Sequence, residues 1–256
     1  APASTSSGIL FGELDDGSYE VIGYNGNSAI LSIPSKHNGK SVTSISSYAF
    51  QDNNIITYVY IPSTITNIGN GAFRNCTALA NATICDGIKT IGSFAFDNTA
   101  LSEIAIPDSV TAIGFGAFRA TVPESCTLPI IGGAALSSNS YLGYIFGASS
   151  YAATGIIPET LKFVTVSSAC KDIPAYAFYG CSSFTKIVLP DTIVSVGDYA
   201  FRGCNNATMV IIPESLETIG KHVFYGLNST TLYCEADSIK PYWNIQFNSS
   251  FRPTFW

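Results

Sequence analysis

The sequence is poor in charge and in the residues that most enzymes use for catalysis. Charged residues make up 12% of the 256, and there are 2 His and 1 Met. The chain has no G-x-S-x-G elbow, no H-E-x-x-H motif and no Gly-rich phosphate loop. His37 lies in a loop beside two lysines, and His222 stands where other repeats have an aromatic residue. We therefore predict no catalytic residues, no cofactor and no enzymatic activity.

Basic clusters and long apolar runs are also missing. The formal net charge is −6, and Lys and Arg are scattered along the chain. A nucleic-acid-binding protein normally gathers basic residues on one face, so DNA and RNA are excluded as expected partners. The mean hydropathy of +0.27 is high. Even so, no apolar run approaches the ~20 residues of a membrane span, and the apolar residues are predicted to form a core.

The cysteines lack the spacing of a metal site. There are 7, an odd number, with no C-x-x-C pair. Cys76, Cys181 and Cys204 each follow a repeated Phe by three residues, and other repeats have Thr or Leu at that position. A position that accepts Thr or Leu is a small packing site. We predict structural, reduced thiols and no metal ligand.

What the sequence has is an internal repeat marked by the dipeptide Ala-Phe, with Val-Phe once. The marker Phe residues are separated by 23, 23, 22, 60, 23 and 23 positions, and all are predicted to be buried in one aromatic stack. They are Phe50, Phe73, Phe96, Phe118, Phe178, Phe201 and Phe224.

Each repeat has the same pattern before its marker. In one copy, Ile104 and Ile106 alternate with Glu103 and Ala105, Pro107 follows, and Gly114 precedes Ala117-Phe118. Alternation predicts a strand, and proline ends its hydrogen-bonding ladder. The glycine recurs in the same slot, where we expect a turn through positive φ. One such coil cannot bury its apolar side, so the coils are expected to stack into a repeat solenoid.

The consensus L-x-x-I-x-I-P-x-x-V-x-x-I-G-x-x-A-F-x-x-C resembles the BspA-like (Treponema pallidum type) leucine-rich repeats of bacterial and protist surface proteins. The resemblance implies a right-handed, β-rich coil of about 23 residues per turn, with short 3₁₀ or α turns. It also implies an exported or cell-surface protein without enzymatic activity. Members of that family are associated with adhesion to host matrix proteins and to other cells.

The predicted organisation is a single repeat domain over residues 9–256, preceded by a flexible segment over residues 1–8. The expected parts of the domain are an N-terminal cap (9–34), repeats (35–129), a repeat with an insertion (130–161), further repeats (162–232) and a C-terminal cap (233–256). The insertion accounts for the 60-residue separation, which exceeds two repeats by 14 residues. Inserts on rigid scaffolds are often functional, so its aromatic residues are a candidate binding site. They are Tyr141, Tyr144, Phe146 and Tyr151.

The other candidate site is the outward side of the strands, where residues align from coil to coil in two rows. Most row positions hold small or β-branched residues, which by themselves indicate only a well-formed sheet. Large residues stand out among them and are candidate interface anchors. These candidates are Tyr58, Tyr60, Phe163, Lys186, Met209 and Tyr233.

Three functions are compatible with this sequence. The first is binding of a protein, either in the host extracellular matrix or a cell-surface receptor, through the strand rows. The second is a structural spacer or accessory domain of a larger surface protein. The third is a carbohydrate-binding module that uses exposed tyrosines on a glycan.

Overall fold

The computed structural model describes residues 6–135, 137–227 and 229–248, and the backbone of residues 254–255. The described strands are β1 (Ile9–Glu13), β2 (Tyr19–Tyr24), β3 (Ile30–Ser32), β4 (Lys36–His37), β5 (Lys40–Ile45), β6 (Tyr58–Ile61), β7 (Asn67–Ile68), β8 (Asn81–Ile84), β9 (Thr90–Ile91), β10 (Glu103–Ala105), β11 (Ala112–Ile113), β12 (Ser125–Leu128), β13 (Phe163–Val166), β14 (Asp172–Ile173), β15 (Lys186–Val188), β16 (Ser195–Val196), β17 (Met209–Ile212), β18 (Thr218–Ile219), β19 (Thr231–Cys234) and β20 (Thr254–Phe255). Two 3₁₀ helices, η1 (Leu142–Phe146) and η2 (Thr154–Ile156), lie between β12 and β13.

The fold is a β-solenoid of about nine turns of roughly 23 residues, which confirms the predicted fold class. The coils group into two compact units. The first contains the chain up to Pro123 together with Ile145–Gly147, and the second contains Glu124–Tyr144 and the chain from Ala148 onward.

Most coils contribute one longer strand and one two-residue strand, and most of these strands pair in parallel with their counterparts in a neighbouring coil. In the first unit the longer strands β3, β6 and β8 form one sheet, and β7, β9 and β11 extend a second sheet that begins with β1, β2 and β5. In the second unit β15, β17, β19 and β20 form one sheet, and β14, β16 and β18 form another. The longer strand of several coils ends just before proline, as at Ile61 and Ile212, because proline has no N–H to donate.

The marker phenylalanines form the core. In the first unit Phe50, Phe73, Phe96 and Phe118 stack nearly parallel, with successive ring centroids 4.8, 5.2 and 5.4 Å apart. In the second unit Phe178, Phe201 and Phe224 stack with separations of 5.0 and 5.9 Å. All seven side chains are buried. Ring separations of this size follow directly from the spacing of neighbouring strands.

The insert contains a repeat marker that its sequence conceals. The Phe118 N–H donates to the carbonyl of Ile145, just as the Phe73 N–H donates to the carbonyl of Ala95 in a regular coil. Ile145-Phe146 therefore occupies the Ala-Phe slot of a coil, and the Phe146 ring is buried. The extra residues are distributed on both sides of this hidden marker, since 28 positions precede it and 32 follow it.

The predicted positive φ at the recurring glycine is wrong. Gly69, Gly92 and Gly114 are not among the residues of positive φ, which instead fall one residue before the Ala-Phe pair and two residues after the Phe. The glycine is needed for a different reason. A Cβ at Gly114 would lie 2.2 Å from the backbone nitrogen of Ser93 in the preceding coil, and one at Gly197 would lie 2.4 Å from that of Ala175. Only glycine lets consecutive coils approach this closely.

The two ends of the solenoid differ from its middle. At the start, β1 and β2 form an antiparallel hairpin, and β4 and β5 form a second one around Asn38 and Gly39. Near the end, the Trp243 indole packs edge-on against Phe247 and donates a hydrogen bond of 3.3 Å to the Leu216 carbonyl. The predicted C-terminal cap continues to residue 256, but residues 249–253 and 256 lie outside the described residues, as do residues 1–5 of the predicted flexible segment.

Candidate functional site

The strand rows align as the repeat predicts. In the first unit Tyr58 is in register with Asn81 and Tyr60 with Thr83. In the second unit the corresponding pairs are Ser125 with Phe163, Lys186 with Met209, Met209 with Thr231 and Ile211 with Tyr233. The intervening residues of most longer strands face the core, so the alternate residues form a surface of parallel rows, here called the strand face.

The strand face has a depression in the second unit, between β13 and β15. These two strands approach each other but belong to different hydrogen-bonded sheets, as β8 and β10 do in the first unit, so the ladder is interrupted between them. The result is a depression of about 270 Å³. It is lined by Phe163, Val164, Thr165, Val166, Lys186, Val188 and Pro190.

The lining is apolar except for Thr165 and one charged side chain. Phe163 is 55% exposed and Val188 43% exposed, which is unusual for side chains of this size beside each other. Lys186 contributes a positive charge at the same edge. The volume is below the ~300–1,000 Å³ typical of small-molecule pockets, so the depression is suited to a single side chain of a larger partner.

Tyr58 and Tyr60 are less available than the rows suggest. Both side chains are only partly exposed. The Tyr58 hydroxyl is 2.9 Å from the Thr83 hydroxyl of the next coil, and the Tyr60 hydroxyl contacts the Cys85 thiol. These contacts hold the two rings along the sheet. In the second unit, Met209 is partly exposed and Tyr233 is 41% exposed.

Two of the four insert aromatics are buried in the core and are not part of a surface. Tyr141 and Phe146 are buried, and the Tyr141 hydroxyl donates to the Ala148 carbonyl at 3.1 Å. Tyr144 is partly exposed and packs edge-on against Tyr141. Tyr151 is 41% exposed and stacks on Tyr176 of a regular coil. Of the four insert candidates, Tyr151 is the one that the structure leaves well exposed.

The thiols are in packing positions. All seven cysteines are free, and all except Cys85 are buried. Burial raises the pKa of the Cys76 thiol to about 12, and the thiol donates to the Phe50 carbonyl at 3.0 Å. Thr99 and Thr121 occupy the same slot and donate their hydroxyls to the Phe96 and Phe118 carbonyls. In these three coils the slot therefore holds a small group that hydrogen-bonds a backbone carbonyl.

The side chains show no arrangement for metal chemistry in the part of the chain that is described. Within that part, no group of three or more His, Cys, Asp or Glu is placed to hold a metal ion. None of the described helices is long and apolar enough to cross a membrane.

Sequence reasoning found Phe163 and Lys186 as separate row positions but missed that they border one depression. Each row contains one residue per coil. It does not show where the backbone hydrogen bonds between two neighbouring strands are interrupted. Val188 and Pro190 also line the depression. The sequence shows that Val188 lies two positions after Lys186 and so on the same side of the strand. The same spacing occurs on every longer strand, so it does not reveal a depression.

Comparison with known proteins finds similarity to other leucine-rich repeat proteins. No curated protein matches the chain. A T. pallidum leucine rich repeat protein of known structure is 21% identical over 89% of this chain and 90% of its own, with a TM-score of 0.48. A leucine-rich repeat protein from Bacteroides capillosus is 30% identical over 43% of this chain and 86% of its own, with a TM-score of 0.39. A leucine rich cell surface protein from Faecalibacterium prausnitzii is 20% identical over 92% and 95%, with a TM-score of 0.32.

The family itself is established by the repeat. The model of the BspA type leucine rich repeat region matches in 6 copies, over residues 18–130 and 159–251, which is most of the chain. The gap between the two matches is the insert that carries the hidden Ile145-Phe146 marker. This protein therefore belongs to the BspA type leucine rich repeat family.

Proposed function

We propose that this leucine-rich repeat protein is a binding module, located at the cell surface or secreted, that adheres to a host or neighbouring-cell protein through its strand face. The observation that supports this is the depression beside Phe163 and Lys186. An aromatic side chain of this size buries about 150–250 Å² in an interface, and roughly half of that area is still free on Phe163. At about 25 cal/mol per Å², a partner that covers the ring gains roughly 2–3 kcal/mol.

The surroundings of the depression favour a protein as the partner. Most other positions of the strand face hold small or β-branched residues, which leave room for a large ligand. Binding energy in such interfaces is concentrated in a few anchors surrounded by nearly neutral contacts. Lys186 would pair with an acidic group of the partner and help to set its orientation.

The test is a binding assay on purified extracellular-matrix proteins and soluble mucin, measured by surface plasmon resonance. The double variant F163A/K186A should fold as the wild type does and bind at least tenfold more weakly, because the lost contacts exceed 1.4 kcal/mol. As a control, Val194→Ala removes an exposed apolar side chain that lies outside the strand face, and this variant should bind as the wild type does.

The tyrosines of the first unit give a second comparison. The double variant Y58A/Y60A should weaken binding tenfold only if the interface extends over both tyrosine rows. If binding to every matrix protein is unchanged in F163A/K186A, the proposed face is wrong. Binding to a glycan array alone would support the carbohydrate-binding alternative. Absence of binding to proteins and glycans alike would support the spacer.

A further inference from the structure

A second candidate surface lies on the Ala-Phe turns of the second unit, away from the longer strands. The residue before each pair is aromatic, and these rings stack from coil to coil. The Tyr151 ring of the insert lies on Tyr176 at 4.0 Å, Tyr176 lies on Tyr199 at 5.2 Å, and the His222 ring follows at 5.3 Å. Tyr151 thereby extends a stack that the regular coils begin.

The residue after each pair forms a parallel row with an arginine at its centre. The Arg202 guanidinium lies 5.5 Å from the Tyr179 ring centroid, 5.6 Å from that of Tyr199 and 5.0 Å from that of Tyr225. Tyr225 is 46% exposed and Tyr151 41%. We call this surface the tyrosine ladder: Tyr151, Tyr176, Tyr179, Tyr199, His222 and Tyr225, with Arg202.

The same slots of the first unit are arranged differently. There, Arg119 makes a two-pronged pair of 2.8 and 2.9 Å with the buried Asp97 carboxylate, and Arg74 lies 3.3 Å from it. Arg202 has no such partner: no carboxylate oxygen of a described residue lies within 4 Å of its guanidinium. The arginines of the first unit are therefore paired with a carboxylate, whereas the guanidinium of Arg202 in the second unit is available to an external anion.

The backbone supports part of this contrast, because two of the four corresponding positions of the first unit are also aromatic and two are glycine. Tyr176, Tyr199 and His222 have φ of 61°, 58° and 53°, a region that disfavours bulky side chains. The first unit places Gly71 and Gly116 at two of its corresponding positions, where φ is 59° and 62° and glycine has no such penalty. The rings of the second unit are therefore present although glycine would fit the turn better.

We propose that the tyrosine ladder binds an acidic segment of a protein, with a carboxylate of the segment paired to Arg202. The Arg202 guanidinium lies close to three rings, and its N–H donors form a planar fork that matches a carboxylate. Tyrosine and arginine are the residues most enriched in interface anchors, and rings already fixed by stacking lose little freedom on binding. Lys221 lies 5.8 Å from the Tyr199 ring centroid, but its charge is offset by Asp198 at 3.8 Å, so Arg202 is the cation that the ladder offers to a ligand.

This occupant fits better than a neutral sugar. Sugars stack on exposed ring faces, whereas the faces of Tyr176 and Tyr199 are covered by their neighbours in the ladder. What the ladder presents is ring edges, hydroxyl groups and a guanidinium. These groups recognise carboxylates and backbone carbonyls.

The test uses a phage library that displays random twelve-residue peptides, from which those that bind the immobilised whole chain are selected. Enriched peptides should contain Asp or Glu. In fluorescence polarisation, synthetic copies of these peptides should bind the R202Q variant at least tenfold more weakly than the wild type. The Y225A variant should also bind them more weakly than the wild type. Lys171→Gln removes one exposed positive charge from the same unit and should leave binding unchanged.

The strand-face variant F163A/K186A separates this proposal from the proposed function, since peptides on the ladder should bind it normally. A thermal melt checks that R202Q and Y225A are folded, because both change surface side chains. The proposal is overturned if the selected peptides lack acidic residues, if R202Q binds them as well as wild type, or if no peptide is enriched. Arg202-dependent binding on a glycan array instead would assign the ladder to a carbohydrate.

Discussion

Phe201 lies between Phe178 and Phe224, with ring centroids 5.0 and 5.9 Å away, and has only 2% of its surface exposed. Removal of such a ring loses its transfer free energy and leaves a cavity that stacked coils cannot close. Phe201→Ala should lower the free energy of unfolding by about 3–5 kcal/mol. Urea denaturation followed by circular dichroism measures it. Phe163→Ala, which removes the same side chain from an exposed position, should cost much less, and equal losses would contradict the proposed core.

The buried thiols predict a loss of stability at alkaline pH. Burial raises the pKa of Cys126 and Cys204 above their ordinary value of 9.0, and that of Cys76 to about 12. The folded chain thus retains protons that the unfolded chain releases. The contribution of these thiols to stability should be constant below about pH 8.5. It should fall as the pH rises from there towards the folded pKa, by at most about 1.4 kcal/mol per pH unit for each thiol.

Cys204→Thr tests the origin of this pH dependence, because Thr99 and Thr121 show that threonine fits the slot. The slope of the unfolding free energy between pH 8.5 and 10 should be shallower in the variant than in the wild type. An unchanged slope would mean that the tyrosines, and not this thiol, dominate the alkaline loss.

At the scale of elements, the insert is held in place by contacts with a regular coil. η2 lies against the turn at Gly180, where φ is 69° and an added Cβ would be 2.2 Å from the Thr154 methyl carbon. Gly203 occupies the same slot one coil later, with φ of 80°. A Cβ added there would meet its nearest neighbour, the Gly180 Cα, at 3.3 Å.

The two glycines are therefore a matched pair. Both alanine variants carry the strain of positive φ, but only Gly180→Ala also collides with the insert. We expect Gly180→Ala to melt at a lower temperature than Gly203→Ala. We also expect it to be cleaved faster by a protease near residues 149–156. Equal melting temperatures and equal cleavage would show that η2 is not packed on the turn.

At the scale of the whole molecule, each coil of the repeat contacts mainly the coils on either side. Stability in such an array is a sum of local terms, so damage should stay local. Hydrogen–deuterium exchange should show Phe96→Ala losing protection in coils of the first unit and Phe201→Ala in coils of the second. A uniform loss of protection over both units in either variant would contradict this expectation.

The sequence by itself determined the period, the parallel register of the longer strands and the burial of the repeated Phe. Each of these follows from a local pattern that recurs every 22 or 23 residues, so that the copies support one another. The family could be recognised for the same reason. A slot occupied by Cys in one coil and Thr in another was also correctly read as a packing position, since the variation shows what the slot requires.

Only the tertiary structure decided the features that depend on contacts between neighbouring coils. Ile145-Phe146 does not look like Ala-Phe, and it became a repeat marker only through its backbone bond with Phe118. The recurring glycine was assigned to a turn, but its cause is the backbone of the preceding coil at 2.2–2.6 Å. The exposure of Phe163 and the stacking of the tyrosine ladder likewise involve residues more than twenty positions apart. Such contacts depend on how two coils pack in space, which no pattern within a single repeat encodes.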